Sequence, residues 1–129
     1  MAAGDCPNRY TVTSRRKTRE LALSAMYEIQ SGKHDPEVVI ARTIEGQGVE
    51  PPADEFLTNA VRLAWEKHDK VDEIITELAV GWKLDRIARI DLAILRLAIV
   101  ELLIGLEDPP PGEPVVINEA VVLAKKFST

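Results

Sequence analysis

The chain has 129 residues, of which 46% are hydrophobic and 29% charged, so it can bury one core and is not a disordered chain. Its formal net charge of −5 argues against a nucleic-acid partner unless positive charge is concentrated locally. Five basic side chains against one acid give residues 1–19 a net charge of +4, which leaves −9 on the remainder. This asymmetry makes the N-terminal segment the first candidate for a functional site.

Residues 1–12 show no periodicity and are predicted to be a flexible arm, followed by a single helical domain over residues 13–129. The single Cys6 lies in this arm and cannot form an internal disulfide, which fits a reducing cytoplasm. The first 20 residues contain no apolar stretch of the secretory kind, so we expect a cytoplasmic protein.

Helical periodicity and terminal residues predict the first four helices. The first begins with Thr13 or Ser14 as N-cap and ends near Ser31, and the second begins at Asp35-Pro36-Glu37, where an N-cap precedes a proline. The third opens at residues 51–54, and the fourth follows residues 68–69 and ends near Gly81. Aromatic residues are few, at 5%, and convincing strand alternation is lacking, which favours an all-α fold.

Residues 85–105 predict a central helix around which the others pack. Between Asp91 and Ile104 only Arg96 and Glu101 interrupt an apolar run, and a helix that is hydrophobic all round is normally buried. The run is too short and too charged to cross a membrane. A last helix is predicted at about 116–127, with Ile117, Ala120, Val121, Ala124 and Phe127 on its apolar side.

Enzymatic sites find little support in the sequence. The two histidines have no partners at metal-ligand spacing, Cys6 has no supporting histidine, and glycine-rich phosphate loops are missing, so we expect no catalytic residue, metal or cofactor. Structural pairing is favoured over catalysis for Glu101 and Asp91, which have Arg96 and Arg89 nearby in the sequence. Core or bundle-edge packing is favoured for Trp65 and Trp82 over a role as a stacking platform. The basic residues Arg15, Arg16, Lys17 and Arg19 fit either a solvated edge or an RNA backbone clamp.

Four segments resemble the NusB family of transcription antitermination factors. They are RRKTRELA at 15–22 with AMY at 25–27, WKLDRI at 82–87, DLAILRLA at 91–98 with ELL at 101–103, and VINEAV at 116–121 with AKKF at 124–127. The resemblance covers the first helix and everything from Trp82 onward, whereas residues 33–80 match in helical pattern alone.

The resemblance implies an all-α fold of two small helical bundles around the central helix, and a role that is not enzymatic. It also implies that the protein pairs with the small-subunit ribosomal protein NusE and binds boxA-type single-stranded RNA. This assembly joins the RNA polymerase elongation complex and suppresses termination in ribosomal RNA operons. Carried over by position, Arg15, Arg16, Lys17 and Arg19 are predicted to contact RNA, with Lys125 and Lys126 added to this set, and Tyr27 and Asp91 to face NusE.

The chain departs from the family pattern at its end, because the final helix of that pattern is missing after Ser128. We expect this to leave an apolar stripe that includes Ile99, Leu103, Val121 and Phe127 open to water, and the chain to self-associate as a symmetric homodimer. Two alternatives remain: a detached NusB-like RNA-binding domain of the type found in ribosomal RNA cytosine methyltransferases, and a plain helical protein-interaction module.

Overall fold

A computed structural model describes residues 14–32, 34–107 and 109–128. In this part of the chain there are six α-helices, α1 (Arg15–Gln30), α2 (Pro36–Gln47), α3 (Ala53–Glu66), α4 (His68–Leu78), α5 (Arg89–Leu103) and α6 (Glu113–Phe127), and a 3-10 turn at Leu84–Arg86. The all-α prediction is confirmed. The arm predicted for residues 1–12, with Cys6, lies outside the described residues.

The helix ends follow local chemistry. The Ser14 hydroxyl accepts a hydrogen bond from the Lys17 amide at 3.2 Å and caps α1, and the Asp35 carboxylate accepts from the Glu37 amide at 2.8 Å ahead of Pro36. At the other end of α2 the chain turns through Gly48, whose φ of +64° is favourable for a residue without a side chain. The predicted N-caps of α1 and α2 are confirmed.

The helices form two groups joined by α5. Helices α1, α2 and α3 pack on one another, and α5 packs on α4 and α6 while also contacting α1 and α3. Its buried side chains Ala93, Ile94, Leu97 and Val100 face this shared core. The two-bundle fold around α5 is therefore confirmed.

Burial of α5 is not uniform around its axis. Leu95 is 37% exposed and Leu103 is 66% exposed, although the sequence predicts burial on every side. Leu95 lies on the side of α5 that faces away from the enclosed Ala93 and Val100, whereas Leu103 is the last residue of the helix and lies beyond its enclosed part.

Only part of the predicted apolar side of α6 meets the core, because Ala120 and Ala124 pack against it while the most buried residues lie on a neighbouring stripe. Val116, Glu119 and Leu123 are buried, whereas Ile117 and Val121 are 54% and 43% exposed. The sequence predicted burial of Ile117 and Val121 because it was judged by apolar residues alone. The buried stripe contains a glutamate, which is retained inside because basic side chains of α1 neutralise it.

The two tryptophans differ in their surroundings. Trp65 is half-buried and stacks on His68, with 4.3 Å between ring centroids, so the packing role predicted for it is confirmed. Trp82 is 62% exposed, in the connection between α4 and the 3-10 turn, so it does not pack in the core. The connection leaves the indole outside because Leu84 and Ile87, not Trp82, pack against the core.

Candidate nucleic-acid interface

The first turns of α1 place four basic residues where the helix dipole opposes positive charge. Acidic side chains from elsewhere in the chain compensate for this. They come from the end of α5, from the loop that follows it, from α6 and from α1 itself: Glu101, Glu107, Glu119 and Glu20.

Arg19 is the most enclosed of these cations. Its Nε and Nη2 donate to the two carboxylate oxygens of Glu101 at 3.2 and 2.5 Å, and both side chains are at most 10% exposed. A second acid, Glu119, approaches its Nη1 at 4.0 Å. Removing one member of such a pair leaves a buried charge and costs about 3–5 kcal/mol. The pair therefore holds α1 against α5.

Arg15 is half-buried beside Arg19. Its Nη2 donates to Glu107 at 2.6 Å, and its guanidinium carbon lies 3.9 Å from the centre of the Phe56 ring. The Nη1 atom is buried and makes no hydrogen bond within the described residues, and the contact of the cation with the ring face makes this position tolerable.

Arg16 is exposed and still makes a two-pronged ion pair. Its Nε and Nη2 donate to Glu119 at 3.1 and 2.8 Å, while 58% of the side chain remains accessible. Hydrogen bonding by Arg16 and the charges of Arg16 and Arg19 lower the pKa of Glu119 against the effect of its burial. The same pair raises the pKa of Arg16. The guanidinium is thus oriented by α6 and open to solvent on its other side.

Glu20 connects the remaining cations of α1 and α6. Its carboxylate lies 2.9 Å from the Lys126 ammonium and 3.5 Å from the Lys17 ammonium, and both lysine side chains are more than half exposed. The Lys126 hydrogen bond, with the charges of both lysines, lowers the pKa of Glu20 although its burial opposes this. Lys125 is exposed next to Lys126. We call the exposed set, Arg16, Lys17, Lys125 and Lys126, the basic ridge.

The two residues predicted to face a protein partner lie away from the start of α1. Tyr27 is 45% exposed and lines a shallow depression with residues 88–90 and Phe127. Asp91 follows directly, half-buried in the first turn of α5. It does not cap α5, because the N-cap position is taken by Ala88 and has no side-chain hydrogen bond.

The structural roles predicted for Glu101 and Arg96 are confirmed. Glu101 binds Arg19 as described, and Arg96 donates to both carboxylate oxygens of Asp72 at 2.9 and 2.7 Å and to the Gln30 amide oxygen at 2.9 Å. These bonds tie α5 to α4 and to the end of α1.

The sequence did not indicate the acids that organise the site. Glu107, Glu119 and Glu20 stand among 21 acidic residues without a distinguishing motif. The ion pairs that Glu107 and Glu119 make with α1 join residues about a hundred positions apart. The one available signal was Glu119 within an otherwise apolar stripe, since a buried acid requires a partner.

The described ranges contain neither a metal-binding group nor a membrane-spanning helix. Within residues 14–32, 34–107 and 109–128, no group of three or more histidine, cysteine, aspartate or glutamate side chains could hold a metal ion. Of the helices described, none combines the length and the apolarity that crossing a bilayer requires.

A solved structure of T. maritima NusB has the same helical arrangement, with a TM-score of 0.80 over 91% of this chain and 80% of that chain, at 26% identity. The fold is therefore NusB-like. Residues 16–129 match the sequence profile of the NusB family. The chain belongs to the NusB family.

Curated relatives agree with this assignment. Three are named transcription antitermination protein NusB: one from Roseiflexus sp. (strain RS-1), 38% identical over 89% of this chain and 80% of its own length; one from Symbiobacterium thermophilum, 38% identical over 90% and 79%; and one from Bacillus pumilus, 39% identical over 88% and 81%.

The ion pairs predict how stability depends on pH. The pKa values of Glu119 and Glu20 are lowered in the folded chain, so these groups stabilise it above their unfolded pKa of about 4.3, and this contribution is lost as pH falls through their folded values. We expect Glu119→Gln to lower the free energy of unfolding at pH 7 and to flatten its decline below pH ~4, as measured by urea unfolding at several pH values.

Glu73→Gln, which changes an exposed acid on α4, serves as the control and should preserve the wild-type pH profile. If the free energy of unfolding of Glu119→Gln declined below pH ~4 as steeply as that of the wild type, the stabilising role of the Arg16–Glu119 pair would be contradicted.

Proposed function

We propose that this chain is a non-enzymatic transcription antitermination factor of the cytoplasm that binds boxA-type nascent RNA and pairs with NusE. Family membership supports the antitermination role, and the basic ridge, held in place by internal acids on an otherwise acidic chain, carries the RNA-binding part. The relatives match this chain over about four-fifths of their own length as separate NusB proteins, which favours this role over a methyltransferase domain.

RNA contacts are assigned to the exposed cations. Arg16 uses Nε and Nη2 to hold Glu119, and its Nη1 makes no hydrogen bond within the described ranges, so a phosphate can approach that side. The side chains of Lys17, Lys125 and Lys126 are exposed, and the Lys17 and Lys126 ammonium groups are held beside Glu20. Because phosphates carry most of the affinity of a protein for a nucleic acid, such a cluster is suited to a strand backbone.

Arg15 and Arg19 are given a supporting role in this proposal. The guanidinium of Arg19 cannot reach a phosphate without breaking its bonds to Glu101, and that of Arg15 is held between Glu107 and Phe56. They fix the start of α1 and thereby the direction in which Arg16 and Lys17 project.

Salt dependence tests the RNA proposal. Four phosphate contacts of the basic ridge to single-stranded RNA contribute about −3 to the log–log salt slope, at roughly −0.7 per contact. Replacing Arg16 and Lys17 by Ala should make the slope less steep by about 1.4 and weaken boxA binding, while the helical circular dichroism signal persists.

The matched control removes Lys67 and Lys70, two exposed cations at the α3–α4 junction, and should bind RNA with the wild-type slope. RNA affinity that is the same in both double variants and in the wild type would exclude the basic ridge as the interface.

The NusE partner is proposed to meet the surface around Tyr27 and Asp91. An exposed tyrosine beside Phe127, which is 43% exposed, offers aromatic contact area, and Asp91 adds a carboxylate suited to a basic ribosomal protein. Joining the RNA polymerase elongation complex would follow from this pairing.

The charge of Asp91 can be tested separately from stability. Because Asp91 makes no capping bond, Asp91→Asn should change the free energy of unfolding by less than about 1 kcal/mol, the scale of a helix-dipole effect, while weakening NusE binding in calorimetry. Asp69→Asn removes an exposed acid from the first turn of α4 and should leave NusE binding unchanged. Equal NusE affinities for the two variants would remove Asp91 from the interface.

A second copy of the chain is also proposed as a partner. Of the residues predicted to stand open to water, Leu103, Val121 and Phe127 are exposed, whereas Ile99 is half-buried against the core. We call Leu103 and Val121, together with the exposed Leu95 and Ile117 of the packed helices α5 and α6, the apolar face. Large exposed apolar areas are rare on monomers, and a two-fold dimer would bury this face on both copies.

Light scattering tests self-association of the 129-residue chain. We expect about twice the chain mass of 14.3 kDa at micromolar concentration, and the monomer mass for a variant with Ile117 and Val121 both changed to Lys. Val38→Lys, at an exposed apolar position on α2, should stay dimeric. A wild-type chain that remains at 14.3 kDa would contradict dimerisation.

A further inference from the structure

Trp82 is the largest side chain that the fold leaves in solvent without a role in the site described above. Its indole is 62% exposed in the connection between α4 and the 3-10 turn. Aromatic side chains are costly to expose, so a tryptophan presented in this way is a candidate binding element.

The backbone holds Trp82 in a defined position. Its amide donates to the Ala79 carbonyl at 3.0 Å, which closes a turn through Gly81, where φ is +86°. On the other side Leu84 packs against the core, and the 3-10 turn is closed by the Arg86 amide on the Lys83 carbonyl at 2.9 Å. The indole is therefore carried by an anchored segment.

Two cations accompany the indole. Lys83 and Arg86 line one shallow depression with Trp82 and Gly81, and both are exposed. Within the described part of the chain neither is within 4.0 Å of a carboxylate, in contrast to the cations at the start of α1, each of which has an acid beside it. In a chain of net charge −5, Lys83 and Arg86 therefore place two uncompensated positive charges next to an exposed aromatic ring.

An aromatic face flanked by cations matches the chemistry of an unpaired nucleotide. Single-stranded RNA binds proteins by stacking a splayed base on an aromatic ring while basic groups hold its phosphates. We propose that Trp82, Lys83 and Arg86 form a second RNA contact, in which the indole stacks on one unpaired base and the cations bind the adjoining phosphates. This inference rests on the RNA-binding role proposed above and adds a base contact to it.

The separation of the two contacts is compatible with one RNA strand. Helix α1 has 16 residues, about 24 Å at 1.5 Å per residue, with the basic ridge at its start. Its other end reaches the segment that follows Trp82, since the Gln30 amide nitrogen donates to the Arg89 carbonyl at 3.0 Å. A strand of several nucleotides spans this distance.

The fluorescence of the Trp82 indole provides a direct measurement of this contact. In a Trp65→Phe background Trp82 is the sole tryptophan of the chain, so its fluorescence reports on its own surroundings. We expect boxA RNA with unpaired flanking nucleotides to quench this emission, because a base stacks on the indole. Trp82→Ala should weaken RNA binding by about five- to hundredfold, the range that base–aromatic stacking supports.

A second variant tests the contribution of the two cations to RNA binding. Replacing Lys83 and Arg86 by Ala should flatten the salt slope by about 1.4, from two phosphate contacts, and Trp82→Phe should retain part of the affinity. Trp65→Phe alone should bind RNA as the wild type does.

The outcomes separate this inference from the RNA proposal. If RNA binding depends on Arg16 and Lys17 while Trp82→Ala keeps full affinity and the indole is not quenched, the second contact is refuted and the first stands. If the wild-type chain binds no RNA, both proposals fail. Loss of NusE binding with intact RNA affinity in Trp82→Ala would assign the indole to a protein interface and overturn the inference.

Discussion

The buried ion pair between Arg19 and Glu101 is the constraint on which the candidate interface depends. It links the first helix to the central helix at a place where both side chains are almost fully enclosed, and it brings Glu119 of α6 close to the same guanidinium. A pair of this kind gains little over apolar packing, but it tolerates no loss of one partner, so it determines the register of the two helices more than their stability. The start of α1 is placed by this contact.

Around that pair, the basic residues of α1 divide into two groups. Arg15 and Arg19 point inward to the Phe56 ring and to the acids at the end of α5 and in the loop after it. Arg16 and Lys17 project outward on the side of α1 that meets α6, which carries Lys126. The internal acids neutralise cations that the α1 dipole would otherwise disfavour, and they orient the outward group before RNA arrives. A prearranged cluster loses less side-chain entropy on binding, which favours the basic ridge as the proposed RNA contact.

Local signals in the sequence predicted most of the fold. Ser14 and Asp35 identified helix starts, because capping depends on residues three or fewer positions apart. Apolar periodicity located the central helix but not its open side at Leu95 and Leu103, since this depends on which neighbours the fold supplies. The basic residues of the candidate site were visible for the same local reason. The burial of Glu119 and the exposure of Trp82 were not predicted from local residues, because distant cations on α1 neutralise the glutamate and the indole lies in a connection between helices.

A double-mutant cycle on Arg19 and Glu101 tests this account most directly, with unfolding free energy and boxA affinity measured on each variant. We predict that Arg19→Met lowers stability by about 3–5 kcal/mol and also weakens boxA binding, because the start of α1 is no longer held by α5. Adding Glu101→Leu should regain most of the stability and of the RNA affinity, since an apolar pair can hold the two helices together. A folded double variant that binds RNA as weakly as the Arg16 and Lys17 double variant would contradict the account, because Arg19 would then be an RNA contact itself.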